Sequence, residues 1–331
     1  MKKVALVASI IVIISLLVIS LFTYSNLNKE FLISEEIIFE VKKGENNKNI
    51  FFRLEKQGLI NFHKLHYSAF RVINLINPKL FFKSGEYRIP PNSDYKTTLS
   101  KMFSGKVYQR RITIAEGLTV TEAISIINQN PYLTGNISKT PKEGSILPET
   151  YFFKKGDSKE SQLKIMLEKM QLTLDAAWNS RNKDLPLKNK YELLILASIV
   201  EKETGVNSER DRIAGVFINR INKRMRIQSD PTVIYAITKG KYKLERPLSK
   251  RDLRNTSPYS TYTNPGLPPT PIANPGKLAL FATATPLKTK DLYFVSDGNG
   301  KHRFSKSLAE HNHNVSLLRK HERKLRQKHQ N

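Results

Sequence analysis

At 331 residues, 39% of them hydrophobic, the chain has material for two modest cores, and its zero cysteines exclude disulfides, thiolate zinc sites and thiol nucleophiles. A formal net charge of +26 points to a polyanionic partner, an anionic envelope surface or a lysine-heavy composition. Composition and envelope charge account for it better than nucleic acid, because the N-terminus reads as the start of an exported chain.

Val4 to Phe22 is a run of nineteen residues without charge, preceded by Lys2 and Lys3. It is long for the apolar core of a cleavable signal, and no Ala-x-Ala type site follows it, so it reads as an uncleaved membrane anchor. Lysines on its N-terminal side stay in the cytoplasm, which sends everything from Thr23 onward to the outer face of the membrane. The expected setting is a cell inner membrane crossed once, with the bulk of the chain in the periplasm, membrane lipid as a partner and nucleic acid excluded.

From Glu40 to about Asn130, short strand and helix patterns alternate with turn signals at Lys43-Gly44, Asn77-Pro78, Pro90-Pro91-Asn92 and Glu116-Gly117, which predicts a small α+β module. Ile50, Phe51 and Leu54 share a helix face, Tyr87 and Ile89 a strand, and Arg111 to Ile114 leads as a strand into a helix over Thr119 to Ile127. Phe51, Phe52, Phe81 and Phe82 fit core packing better than sugar stacking. Thr140 to Gly156 joins this module to an amphipathic helix from Ser158 to about Arg181, with Leu163, Met166, Leu167, Met170, Leu174 and Trp178 inward.

The run from Leu193 to Val200 is almost uninterruptedly apolar, predicting a helix buried on all sides, and it ends in Glu201. Burial raises a carboxyl pKa, as a general acid near neutral pH requires, although a Glu at the end of a buried helix is more often a solvated terminus or the partner of a nearby arginine. Glu203, about 200° further round the helix, is the weaker candidate. Ser208 to Asp211 reads as a capping signal that also demotes Glu209, before a helix with Ile213, Val216, Phe217 and Ile221 inward. Asp230-Pro231 reads as a helix start with Asp230 as cap. Thr256 to Gly276 holds six prolines in twenty-one residues without periodicity, a long irregular segment of functional type, with Tyr259 and Tyr262 spaced to line it. Leu292 to Ser296 and His302 to Ser305 form a hairpin around Asp297-Gly298 and Asn299-Gly300. His302, His311 and His313 lack the company of a zinc motif, so neither metal nor cofactor is expected. The tail from Arg319 is densely basic and reads as a frayed helix or disordered.

Several stretches resemble the YceG-like endolytic murein transglycosylases: LASIVEKETG at Leu196 to Gly205, ERDRIAGVFINRI at Glu209 to Ile221, MRIQSDPTVIYA at Met225 to Ala236, SPYSTYTNPGLPP at Ser257 to Pro269, PIANPG at Pro271 to Gly276, LYFVSDGNGKHRF at Leu292 to Phe304 and AEHNHNV at Ala309 to Val315. The resemblance extends to TIAEGLT and LPETYFF, to the anchor and to a LysM-like module. It implies an α+β chain divided as cytoplasmic tail 1–3, transmembrane anchor 4–22, linker 23–39, LysM-like module 40–104, linking segment 105–157, YceG-like catalytic domain 158–316 and basic tail 317–331. It further implies cleavage of nascent peptidoglycan glycan strands between N-acetylmuramic acid and N-acetylglucosamine, leaving 1,6-anhydromuramyl ends and terminating strand elongation, with peptidoglycan synthases as possible partners. The resemblance places the catalytic glutamate on Glu201, with Gln228, Ser229, Asp230, Tyr259 and Tyr262 as substrate-binding candidates. A single carboxyl suffices for this chemistry: it protonates the leaving oxygen, then takes the proton of the muramyl C6 hydroxyl as that oxygen attacks C1.

Overall fold

A computed structural model describes residues 2–27 and 33–328; part of the 23–39 linker, the first residue of the 1–3 tail and the last three of the basic tail lie outside the described residues. The chain divides into two compact units, one of residues 1–110 with 152–156, the other of residues 111–151 with 157–331. The 105–157 segment is thus shared between them.

The first unit contains α1 (Lys2–Leu27), β1 (Ile37–Val41), α2 (Asn47–Lys56), α3 (His63–Ile76), β2 (Gly85–Ile89) and α4 (Tyr95–Ser104). β1 and β2 pair antiparallel with Phe39 opposite Tyr87, and the alternation turns Phe39, Val41, Tyr87 and Ile89 into the core. Asn46 caps α2 by accepting from the Asn49 amide, and Asp94 does the same for α4 at Thr97, so each short helix starts at a side chain that meets an orphan N–H. Ile50, Phe51 and Leu54 complete the core with Met102. Of the four phenylalanines assigned to packing, Phe51 and Phe82 are buried, while Phe52 and Phe81 stand in solvent.

Among the described residues no helix is long and apolar enough to cross a membrane. The run from Val4 to Phe22 lies within α1, whose side chains at 2, 3, 5, 16, 23, 24, 26 and 27 fall outside the described residues.

β3 (Arg110–Thr113) and β4 (Thr150–Phe153) lie where the chain passes between the units. The second unit continues with α5 (Val120–Gln129), α6 (Lys159–Ser180), α7 (Lys190–Glu203), α8 (Arg210–Asn222), α9 (Asp230–Thr238), α10 (Lys277–Ala284), β5 (Tyr293–Ser296), β6 (His302–Ser305) and α11 (Leu308–Lys328). Its core is helical: α7 is the central helix, with every side chain from Leu193 to Glu201 buried, and α6, α8 and α10 pack against it. Thr119 and Glu122 form a reciprocal capping box at the start of α5. The helix α10 has no counterpart among the sequence expectations; at eight residues, behind a proline-rich segment, it has too short a period to announce itself. The hairpin of β5 and β6 pairs Ser296 with His302, as its turn signals predict.

Two helix starts differ from expectation. Ser208 to Asp211 does not cap α8: Asn207–Glu209 is a short 3-10 turn, and the Glu209 carboxylate turns away to accept from the amide and the ring Nδ1 of His302, at 3.0 and 2.8 Å. Asp230 is not the cap of α9 either. Ser229 precedes the helix, and Asp230 is its first residue.

Candidate active site

The last turn of α7 carries two carboxylates on different faces, and the structure gives them different company. Glu201 is buried. Its Oε1 accepts from Arg210 Nη2 at 2.8 Å, and its Oε2 from the Gly276 amide at 2.8 Å, the residue that opens α10. Arg210 also reaches the Glu116 carboxylate at 3.1 Å and the side chain of Asn207. Glycine at 276 is a matter of space: a Cβ there would come within 1.9 Å of Glu116 Oε1. Desolvation pushes the Glu201 carboxyl above its ordinary range, opposed by the Gly276 N–H and the Arg210 charge. Both of its oxygens are already engaged, one of them by a cation that favours the charged form.

Glu203 is the final residue of α7. Its Oε1 accepts from the Ser229 hydroxyl, and no hydrogen bond from a described residue reaches its Oε2. The side chain keeps some exposed surface, yet the carboxyl itself is desolvated. Desolvation raises its pKa to about 7, Ser229 and the more distant Arg220 pull it down, and Asp230 pushes it up.

Ser229 is held in place by the proline-rich segment. Its amide donates to Thr261 Oγ1 at 3.0 Å, the Gln228 amide donates to the Thr261 carbonyl at 3.2 Å, and Thr232 Oγ1 shares a 2.8 Å hydrogen bond with Thr261 Oγ1. Gln228 sits in the left-handed region at φ 53, a conformation that costs a non-glycine residue energy and is met here by clamping on both sides. On the other side Arg220, 7% exposed, donates from Nη1 to the Ile227 carbonyl at 2.6 Å and from Nε to the Leu292 carbonyl at 2.6 Å. The Tyr262 hydroxyl donates to Asp230 at 2.6 Å, and burial together with that carboxylate holds its pKa well above the ordinary phenol range.

The six residues singled out in the sequence therefore separate. Ser229, Asp230 and Tyr262 gather with Gln228 on the Glu203 side, Glu201 faces Arg210 and Gly276, and Tyr259 stands apart: its ring packs 4.9 Å from Tyr235 and 4.4 Å from Lys239 Nζ, and its hydroxyl meets Thr270. Sequence reasoning ranked Glu203 below Glu201 and passed over Arg210, Arg220, Glu116 and Gly276. The available signal for Glu203 was its place at the end of a helix apolar on every side, where both faces are covered and angular separation favours neither carboxylate. His302 pairs with Glu209, His311 stacks on Tyr293, and among the described residues no group of three His, Asp or Glu side chains is arranged to hold a metal.

The family model described as the YceG-like family matches residues 39–317. An endolytic murein transglycosylase of Bacillus subtilis is 36% identical over 267 residues, 70% of this chain and 71% of that protein. Another, from Streptococcus pneumoniae, is 27% identical over 323 residues, 83% of this chain but only 57% of its own length. The crystal structure of a putative yceG-like protein from Listeria monocytogenes superposes with a TM-score of 0.54 at 30% identity, covering 85% of this chain and 99% of that one. A match across most of the chain, with the motifs in one order and a common fold, makes this protein a member of the YceG-like family.

Proposed function

We propose that this chain is an endolytic murein transglycosylase, a lyase acting on peptidoglycan glycan strands, and that Glu203 is its general acid and base. The observation that carries the assignment is the Glu203 carboxyl itself. It is desolvated, held near pKa 7 and bound by one neutral hydroxyl, with no described residue donating to its second oxygen. A carboxyl in that state can hold a proton at neutral pH and give it up in the next step. Glu201, by contrast, would first have to break an ion pair.

In the reaction, protonated Glu203 donates to the glycosidic oxygen between N-acetylmuramic acid and N-acetylglucosamine as the C1–O bond breaks. The resulting carboxylate takes the proton of the muramyl C6 hydroxyl while that oxygen bonds to C1, closing the 1,6-anhydro ring. Nucleophile and electrophile belong to one sugar, so no water has to be positioned and a second catalytic carboxylate is not needed. Ser229 orients the acid. Asp230 and Tyr262, joined by their hydrogen bond, supply negative and polar groups for the oxocarbenium charge that develops on the sugar.

The same reading places the chain in a cell membrane through α1, with Val4–Phe22 as the span and the second unit outside. It takes the first unit as a LysM-like module that binds the glycan, and synthases that make the strand as partners. The nineteen-residue apolar run behind two lysines supports the anchor, and the separate core and sheet of the first unit support the module.

The test is product analysis. Full-length protein in detergent, incubated with uncrosslinked glycan strands, yields internal fragments with anhydromuramyl ends by mass spectrometry, and Glu203→Gln yields none while still binding strands. Binding without cleavage by the unmodified protein would leave a peptidoglycan-binding anchor as the function.

A further inference from the structure

The first unit exposes an apolar surface that its own fold leaves uncovered. Leu75 and Ile76, the last two residues of α3, are 82% and 84% exposed, with Ile73 and Phe81 beside them in sequence at 43% and 54%. A soluble module seldom leaves its largest side chains so bare at one place. Next to them a cavity of about 500 Å³ is lined by Phe70, Ile73, Leu80, Leu99 and Phe103.

The position of α1 says what covers this surface. Phe22 meets the start of α3, its ring 5.1 Å from His66 and 6.3 Å from Phe62. Ile19, one turn earlier, lines a recess together with Tyr67, Arg71, Asn74 and Leu75. Passing from Phe22 back to Ile19 thus moves from the first turn of α3 toward its end, so α3 runs back along α1. Leu75 shares that recess with Ile19, a residue three positions inside the outer end of the Val4–Phe22 run. The charge agrees: between His63 and Lys83 the chain carries Lys64, Arg71, Lys79 and Lys83 and no carboxylate.

We propose that the C-terminal end of α3, with Ile73, Leu75, Ile76 and Phe81, docks into the outer leaflet of the bilayer that holds α1, with anionic phospholipid as its partner. Apolar side chains flanked by lysine and arginine are the signature of an interfacial contact of this kind, which reaches some 5–10 Å below the headgroups. The contact would fix the first unit against the membrane surface instead of leaving it swinging on a tether. It rests on the reading of α1 as an anchor.

The chain has no cysteine, so single-cysteine variants can carry an environment-sensitive fluorophore without background. Full-length Leu75→Cys, Ile11→Cys and Leu172→Cys, all at exposed positions, are labelled and reconstituted into vesicles of phosphatidylethanolamine and phosphatidylglycerol containing nitroxide lipids. The expected result is that Ile11→Cys is quenched by a deep nitroxide, Leu75→Cys loses at least about half its emission to a shallow one, and Leu172→Cys is unaffected. Replacing phosphatidylglycerol with phosphatidylcholine should weaken the Leu75 quenching alone. If Ile11 is quenched and Leu75 behaves like Leu172, the docking is wrong and the anchor stands. If Ile11 is not quenched, both fall. Leu75 emission that shifts with protein-to-lipid ratio but ignores nitroxide lipids would assign the surface to a second copy of the chain, and would overturn the proposal.

Discussion

Glu201 and Glu203 stand two residues apart at the end of one helix, and desolvation raises both carboxyls. They differ in what surrounds the oxygens. Glu201 is closed by a guanidinium and a backbone N–H, with its nearest acidic neighbour, Glu116, tied to the same arginine. Glu203 meets a hydroxyl and has an aspartate nearby, and no described residue donates to its second oxygen. Burial by itself does not separate a structural carboxylate from a catalytic one. On the proposed assignment, the sign and saturation of its partners do.

The contrast can be broken in order of expected effect. Arg210→Met should remove the cation from a buried pair and leave Glu201 desolvated without it, costing about 3–5 kcal/mol in chemical denaturation. The loss should deepen as pH rises, because the orphaned carboxyl is then forced to ionise.

Next, Glu203→Gln should lower strand cleavage by at least about a hundredfold while binding survives. In the unmodified protein the acid must be protonated, so kcat/KM should fall as pH rises through about 7. Glu201→Gln should instead reduce stability and keep that pH limb. If Glu201→Gln were inactive yet stable and Glu203→Gln active, the acid would return to Glu201.

Gly276→Ala comes third: its Cβ would collide with Glu116 Oε1, so overpacking should cost about 1–3 kcal/mol, read as a fall in Tm, and Glu116→Ala should restore most of it.

The linkage of Glu203 to folding sharpens the comparison further. Its folded pKa lies above the ordinary carboxyl value of 4.5, so the folded state holds the proton more tightly than the unfolded one. Its share of stability is full below about 4.5 and is lost as pH rises toward and through about 7. Urea midpoints taken across that range should decline in the unmodified protein and flatten in Glu203→Gln. Smallest is Tyr262→Phe, which removes one hydrogen bond to Asp230 and should lower kcat by about five- to tenfold with little change in Tm.

Periodicity and turn chemistry, which act over a few residues, made much of the secondary structure legible. Ile50, Phe51 and Leu54 point inward from α2, Thr119 opens α5, Ser158 caps α6, and Asp297 to Gly300 turns the last hairpin. The same local reasoning misread Ser208 to Asp211 as a capping signal and Asp230 as a cap, because a capping pattern does not reveal that His302 will engage Glu209 or that Tyr262 will offer Asp230 another donor. Motif order was sufficient to identify the family, since order and wording are properties of the chain.

The division of labour between the two glutamates was not available in that form. An all-round apolar helix declares that both of its end carboxylates will lose water, and that much was written in Leu193 to Val200. Which of them would meet a cation and which a hydroxyl depended on Arg210, Ser229, Thr261 and Gly276, residues 9 to 75 positions from the glutamate each one meets or supports, which only packing brings to α7. Electrostatic energy depends on distance through space, and that distance is decided when the helices close on one another.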